Sequence, residues 1–387
     1  MIIYKAYKFR MYPNIEQIIT LNKFLGSTRF IYNYFLNQKD KRYKELNINY
    51  NLKDMCSDLK LLYNEYPWLK EIDSCALRTA LFNLDDAYTR FFKKQTEHPR
   101  FKNRNNKNSY RTNCIRSSYK DNNYSNIKVD LINRTIKLPK LDEITIKGYR
   151  NLNNFDDKKI INATISKVAN KYYVSVLVEE DIKVKEYILR YAIGIDLGVK
   201  NIISTSDGIK YKAMNNIKRI EKKIKGLNRW LSRSKKGSNN RRKIINKIQR
   251  INEKLRNMRK YYIHLITTNI VKENDLIITE NLKVKDMIIN SNKNLNKLIT
   301  NTSMSEIIRQ LEYKTKWSNK RLIKVDTYYP SSQICSTCGN INKELKDLSI
   351  RVYKCSKCGN IMDRDINASI NILFEGVTKY YKEQYNN

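Results

Sequence analysis

Between Asn14 and about Arg100 the apolar residues recur at helical spacing, as in Ile18, Leu21, Phe24 and Leu25 and then Phe30 and Tyr34. Pro13 precedes the first of these helices and Pro67 interrupts the run, so the pattern predicts a helical module. From Phe101 to Lys120 the periodicity fades into a basic stretch rich in Asn and Ser, which predicts a linker or a loop facing a polyanion. From Asn126 to Glu180 the period becomes that of strands: NIKVDLI, a turn at Asn133 and Arg134, TIKLPK, EITIKG, NATISKVA and YYVSVLVEE. These segments predict an antiparallel sheet or small β-barrel, joined by the N-terminal IIYKAYKF as an extra strand.

The pattern changes again at Tyr191. AIGIDLGVKNIISTSDGIKYKA predicts three short strands with tight turns, the second turn at Asp207 and Gly208. Two amphipathic helices follow, one with Ile217, Ile220, Ile224, Leu227 and Leu231 on its seam, the other with Ile244, Ile248, Ile251, Leu255 and Met258. Ser232 to Asn240 connects them. DLIITEN (Asp275 to Asn281) then predicts a buried strand, Ser303 to Asn319 a helix, Arg321 to Tyr329 a strand, and the chain closes with a helix from about Arg364. Three strands, a helical insert, a strand, a helix, a strand and a last helix is the order of the ribonuclease-H-like fold, in which the first and fourth strands are neighbours.

Charge sharpens this picture. The 387 residues hold 76 Lys and Arg against 38 Asp and Glu, a net +38, which repels itself unless a polyanion neutralises it. Nucleic acid is the leading partner. Residues 210 to 260 alone carry 20 basic and 2 acidic residues, where an ordinary solvated helix face carries both signs. The length favours two or three modules. No apolar run is long enough for a signal peptide or a membrane span, so the expectation is a soluble, cytoplasmic, nucleoid-associated prokaryotic protein with no membrane partner.

Four of the seven cysteines form two close pairs, Cys335 with Cys338 and Cys355 with Cys358, separated by sixteen residues and each trailed by a glycine. This spacing predicts two knuckles closing a tetrahedral structural zinc site, with free or redox-active thiols as the alternative. A four-thiolate site has no open position for water, so chemistry must come from elsewhere. Three acids stand out by placement: Asp196 inside the apolar run AIGIDLG, Glu280 at the end of LIITE, and Asp365 opening the last helix. Alone, each has a structural reading as a turn acid, a helix cap or a partner for lysine. In the ribonuclease-H-like order they converge, and three facing carboxylates call for a pair of hard divalent cations, Mg²⁺ or Mn²⁺, suited to phosphodiester hydrolysis.

These residues also carry a family resemblance. KAYKFRMYPNIEQ, RFIYNYFL, HPRFKNRNNKNSYRT, GIDLGVKN, GSNNRRK, ITENLKVKDM, SSQICSTCG and DRDINASINIL are similar to motifs of TnpB, the transposon-encoded RNA-guided DNA nucleases related to type V CRISPR effectors. The resemblance spans nearly the whole chain. It implies a multidomain protein: a wedge β-barrel (1–11 and 105–189), a helical recognition domain (12–104), a RuvC-like nuclease domain (190–332 and 361–387) with its inserted helical hairpin, and a zinc ribbon (333–360). It implies Asp196, Glu280 and Asp365 as the catalytic, magnesium-binding acids, with Asp363 a helix cap or support. Implied partners are a guide RNA from the transposon end and a double-stranded DNA target beside a short motif, with the protein a monomer in the RNA complex. By motif alignment Ser74 and Arg78 face the guide–target duplex, or are ordinary positions on an amphipathic helix. Tyr110 and Tyr119 are candidates to stack on bases, or core residues, and Arg241 and Arg242 are candidate nucleic-acid contacts. The chain departs from the family at NMRKYYIHLIT, where Tyr261 and Leu265 replace an acid and a lysine while Arg259 and His264 remain. Competing readings are a nuclease-silent RNA-guided repressor, which expects a broken acid triad, an unguided transposase, and a simple zinc-ribbon DNA-binding protein.

Overall fold

The chain begins with strand β1 (Ile2–Tyr12) and enters helix α1 (Ile15–Leu46) through a reciprocal cap. The Asn14 side chain accepts from the Gln17 amide at 2.8 Å while the Gln17 side chain accepts from the Asn14 amide at 3.0 Å. The structure, a computed structural model, describes residues 1–47, 49–103, 108–115, 125–148, 159–183, 187–214, 217–289, 292, 296, 299–300, 302–346 and 350–385. It divides into two units, Met1–Ile182 with Ile245–Arg250, and Lys183–Ile244 with Ile251–Asn387.

In the first unit, α2 (Leu52–Glu65) and α3 (Ser74–Phe92) pack with α1 through Leu21, Phe24, Phe35, Met55, Leu77 and Leu81. Six more strands follow: β2 (Asn108–Asn113), β3 (Lys128–Asp130), β4 (Thr135–Leu138), β5 (Leu141–Lys147), β6 (Lys159–Val168) and β7 (Lys171–Asp181). With β1 they form one antiparallel sheet in the order β2-β6-β7-β1-β5-β4-β3. Alternation sets its faces: Tyr172, Val174, Val176 and Val178 of β7 are all buried. The edge strands β2 and β3 meet through Asn126, whose side chain accepts from the Ile115 amide at 2.8 Å and donates to the Asn113 carbonyl at 3.2 Å. Among the described residues no ladder pairs β2 with β3 to close the barrel. The stretch expected to be a loop, Phe101 to Lys120, contains β2, because Tyr110 and Thr112 alternate into the core while polar neighbours mask the pattern.

The second unit is built on β8 (Ala192–Asp196), β9 (Asn201–Thr205), β10 (Lys210–Lys212), β11 (Leu276–Glu280) and β12 (Arg321–Val325), in the order β10-β9-β8-β11-β12. β8, β11 and β12 run parallel, β9 pairs antiparallel with β8, and β10 pairs antiparallel with β9. Helices α4 (Ile217–Arg233) and α5 (Asn239–Glu273) come between β10 and β11, followed by α6 (Val284–Ile289), α7 (Met304–Trp317) and α8 (Arg364–Tyr385). One sheet face packs Ile193, Ile195 and Ile277 against Ile263, Ile266 and Ile270 of α5 and Ile307 and Leu311 of α7. The other packs Leu276, Ile278 and Ile323 against Ile372 of α8. The strands β13 (Val352–Lys354) and β14 (Ile361–Asp363) form a hairpin just ahead of α8. Among the described residues no helix is long and apolar enough to cross a membrane.

Candidate active site

Asp196 ends β8 and Glu280 ends β11. The register pairs Ile195 with Thr279, so both acids emerge at the carboxyl ends of adjacent parallel strands, where open α/β sheets present their binding crevices. Asp365 enters from the first turn of α8. This helix lies directly on the sheet because two glycines let it: a Cβ on Gly194 of β8 would lie 2.1 Å from the Ser369 carbonyl oxygen, and one on Gly376 would lie 2.2 Å from Ile278 Cγ2.

Asp196 keeps a partly open edge yet is hemmed in by protein. Burial pushes its carboxyl well above the usual range, and the charges of Glu280 and Asp365 push it further, with Arg364 opposing. Glu280 is also raised by burial, against a hydrogen bond donated by Ser331 Oγ to its Oε1 at 2.7 Å. Asp365 Oδ2 accepts from Asn201 Nδ2 at 3.1 Å, and Oδ1 lies 3.9 Å from Arg351 Nη1. Each flanking acid thus has a holder of its own, and the central one has two like charges for neighbours. The trio is not drawn tight: among the described residues the cysteine group is the only set of three or more metal-ligating side chains whose ligand atoms all lie within 4.8 Å.

Asp363 does a different job. Its Oδ1 accepts from the amides of Asp365 and Ile366 at 2.9 and 3.3 Å, capping α8, and Oδ2 pairs with Lys210 Nζ at 2.5 Å. Burial alone would raise its pKa, but Lys210 and the two amides outweigh it and hold the carboxyl below the usual range.

The four cysteine sulfurs cluster, with Cys335 to Cys358 at 3.7 Å and Cys338 to Cys355 at 3.6 Å. The two knuckles, Cys335 to Asn340 and Cys355 to Asn360, repeat one another: the Cys335 and Cys355 amides donate to Asn340 and Asn360 carbonyls, both at 2.8 Å. Gly339 and Gly359 take φ of 74° and 72°, a conformation that side chains resist. Burial opposes ionisation of Cys335, but the amides of Cys338 and Thr337 and the neighbouring thiols bring it down to about 6. Four soft donors at this spacing fit tetrahedral zinc.

The sequence reading did not single out the groups that join this cluster to the acids. Asn367 and Asn371, one turn apart on the buried side of α8, donate to the Ile334 carbonyl at 2.6 and 2.7 Å, and Asn371 also reaches the Ser331 carbonyl at 2.8 Å. Asn367 accepts from the Ser336 amide at 3.0 Å. Polar residues at an i, i+4 spacing inside an apolar helix, visible in DRDINASIN, were the available signal. Ser331 and Asn201 lie within the motifs SSQICSTCG and GIDLGVKN, but no local pattern assigned either to an acid.

The other candidates fall differently. Ser74 and Arg78 are exposed on α3. Tyr110 is buried, edge-on to Phe24 with ring centroids 5.5 Å apart, which removes it from any exposed stacking surface. Tyr119 lies outside the described residues. Arg241 closes the α4–α5 turn, donating to the Leu231 and Ser234 carbonyls, whereas Arg242 is exposed. The only two acids of the basic segment 210–260 are turned inward, Glu221 toward Arg259 at 3.5 Å and Glu253 buried. The outer surface of this hairpin is therefore cationic. His264 is held neutral, burial first and Lys314 and Lys260 next lowering its pKa to about 4, and Tyr261 and Leu265 are exposed.

Three family models match: "Cas12f1-like, TNB domain" over residues 305–372, "Probable transposase" over 173–291, and "Helix-turn-helix domain" over 1–47, residues that here form β1 and one long helix. The chain is 30% identical to "Putative RNA-guided DNA endonuclease InsQ" of Escherichia coli (strain K12), with 96% of this chain and 92% of that protein aligned. It is 28% identical to "Putative RNA-guided DNA endonuclease" of Streptomyces pristinaespiralis, over 96% and 89%. Similar solved structures include "Cryo-EM structure of the Cas12f1-sgRNA-target DNA complex" (16% identity, TM-score 0.35, 96% of this chain and 99% of that one). Another is "Structure of the mini-RNA-guided endonuclease CRISPR-Cas_phi3" (12%, 0.43, 97% and 92%).

Proposed function

The chain belongs to the TnpB/IS605 transposase family, and on that footing we propose that it is a metal-dependent, RNA-guided DNA endonuclease with one RuvC-like site formed by Asp196, Glu280 and Asp365. The observation that supports this reading best is electrostatic. Asp196 is raised by burial and by two further acids that approach from a neighbouring strand and a helix start, an arrangement that costs stability unless cations occupy it. An all-oxygen donor set suits Mg²⁺ or Mn²⁺, which when bound would supply an activated water and stabilise the leaving oxygen of a phosphodiester.

The chain's own groups then have definite tasks. Asp196, central and pressed by both other carboxylates, is the shared ligand. Ser331 fixes the carboxylate plane of Glu280, and Asn201 fixes that of Asp365. Asp363, spent on the helix cap and Lys210, keeps Asp365 at its place in the first turn. In this reading the strand order is that of the ribonuclease-H-like fold, the hairpin of α4 and α5 is its insert, and residues 333–360 are a structural zinc ribbon. Residues 1–11 with 105–189 and residues 12–104 act as the wedge and recognition domains. The zinc ribbon bears on the site through Asn367 and Asn371, which tie the first knuckle to the helix carrying Asp365. The cationic hairpin holds phosphates of the guide RNA. The protein reads a short motif beside the target, base pairing with RNA from the element's end supplies the rest of the specificity, and one site cuts both strands in turn.

The test is to express the protein with the DNA that follows its reading frame, sequence the RNA that co-purifies, and challenge the complex with Mg²⁺ and a plasmid library in which a matching target lies beside randomised flanks. Cleavage requiring the RNA, the match and a flanking motif is expected. Binding without cleavage would leave a guided DNA-binding protein, and the absence of any specific RNA would remove the guided reading altogether.

A further inference from the structure

The first unit contains a cavity of about 340 Å³ between α1, α3 and β2 that none of the acids or cysteines lines. Ala80 and the buried Tyr110 contribute to its apolar surface, and Arg29, Asn83, Lys102 and Arg111 its polar surface. The described lining residues include these three cations and no acid. The wall carrying Lys102 is pinned: Asn33 donates to the Lys102 carbonyl at 2.9 Å and accepts from its amide at 2.8 Å. Just upstream, His98 packs on Tyr88 and Phe91 with ring centroids 5.5 and 5.2 Å apart. The Lys102 ammonium sits 3.6 Å from the Tyr32 ring centroid, and burial lowers its pKa to about 8, a desolvation cost that an incoming anion would offset. An apolar slot beside convergent cations and amides is the chemistry that accepts a base and its phosphate together.

We propose that this cavity seats one nucleotide of a bound nucleic-acid strand, its base against Ala80 and Asn83 of α3 and its phosphate toward Arg29, Lys102 and Arg111. The proposal rests on the nucleic-acid-binding reading above and adds a site that reading does not require. The site is distinct from the surface offered by Ser74 and Arg78. At about 100° per residue, Ala80 and Asn83 lie on roughly the opposite side of α3 from that pair. Guide RNA and target DNA present the same chemistry, and the experiment separates them.

The full-length protein, purified with its RNA, is irradiated with ultraviolet light with and without a matching target duplex, and cross-linked residues are mapped by mass spectrometry. Adducts are expected on Arg29, Lys102 or Arg111 of β2. They form in the RNA complex alone if the guide fills the cavity, and only after target addition if DNA does. Arg111→Ala, on an exposed position, should lower the slope of log affinity against log salt by about 0.7, one single-strand phosphate contact. Ala80→Leu should fill the cavity and abolish the adducts without removing a charge. If that variant fails to fold, Arg111→Ala carries the test. RNA that co-purifies normally but leaves no adduct at these residues, together with an unchanged salt slope for Arg111→Ala, would overturn the pocket and spare the guided-nuclease reading. A chain that retains no RNA would overturn both.

Discussion

Replacing Gly194 by alanine tests how the acid site is assembled. A Cβ there would meet the Ser369 carbonyl oxygen at 2.1 Å, the Leu373 amide nitrogen at 2.7 Å and Leu373 Cβ at 2.8 Å. Two of these are backbone atoms, so no rotamer change relieves the contact, and α8 must retreat by about 1 Å or more to reach a normal separation. Asp365 lies one turn upstream of Ser369 on the same helix and travels with it. Overpacking of this kind costs about 1–3 kcal/mol, and a misplacement near 1 Å costs about 100-fold in rate. Gly194→Ala should therefore lower the urea midpoint and slow single-turnover plasmid cleavage by about two orders of magnitude while RNA binding persists. The sign is informative in itself. Gly226→Ala, in α4 with nothing within 4 Å of its Cβ, should instead stabilise by about 0.5–1 kcal/mol. Wild-type stability and cleavage in Gly194→Ala would show that α8 does not depend on that glycine for its seat, and would refute the reasoning.

Four further outcomes follow from the acids and the cysteine cluster. Asp196 binds its proton more tightly folded than unfolded, so it subtracts stability as pH rises from the ordinary aspartate value through the raised one. Metal-free Asp196→Asn should consequently melt above the wild type at neutral pH, yet lose cleavage and keep RNA; equal melting temperatures would contradict the strain assigned to the trio. Asp363→Asn retains a capping side chain and should cut within a few-fold of wild type, whereas Asp365→Asn should be silent. The reverse order in a cleavage assay would exchange their roles. Asp363, held below the usual range, contributes stability above the ordinary aspartate pKa that is lost as pH falls through its folded value, and Asp363→Asn should flatten that acid limb of the stability profile. Cys355→Ser should reduce zinc from about one ion per chain by elemental analysis and make residues 331–363 sensitive to protease; retained zinc would exclude a four-thiolate site.

Much of this was legible along the chain because each feature rests on near neighbours in sequence. The heptad-like seams of α4 and α5, the alternation in β7 and the paired knuckles are local patterns, and they lie where the periodicity placed them. Strand β2 was not legible, since its inward residues are a tyrosine and a threonine among Asn, Ser and Arg. Tyr110 and Arg241 look like surface binders by type, but the core claims the first and a helix turn claims the second.

By itself the sequence determined which side chains stand out as candidates for chemistry: three acids in apolar settings, four thiols in two knuckles, and a cationic hairpin. Only the tertiary structure decided their company. Parallel pairing of β8 and β11 puts Asp196 beside Glu280 across 84 residues of chain, and Gly194 and Gly376 admit the helix that brings Asp365. Ser331, Asn201, Asn367 and Asn371 acquire their roles in the same way. Hydrogen bonds between residues far apart in sequence depend on where packed elements come to rest, and no local pattern of residue types encodes that position.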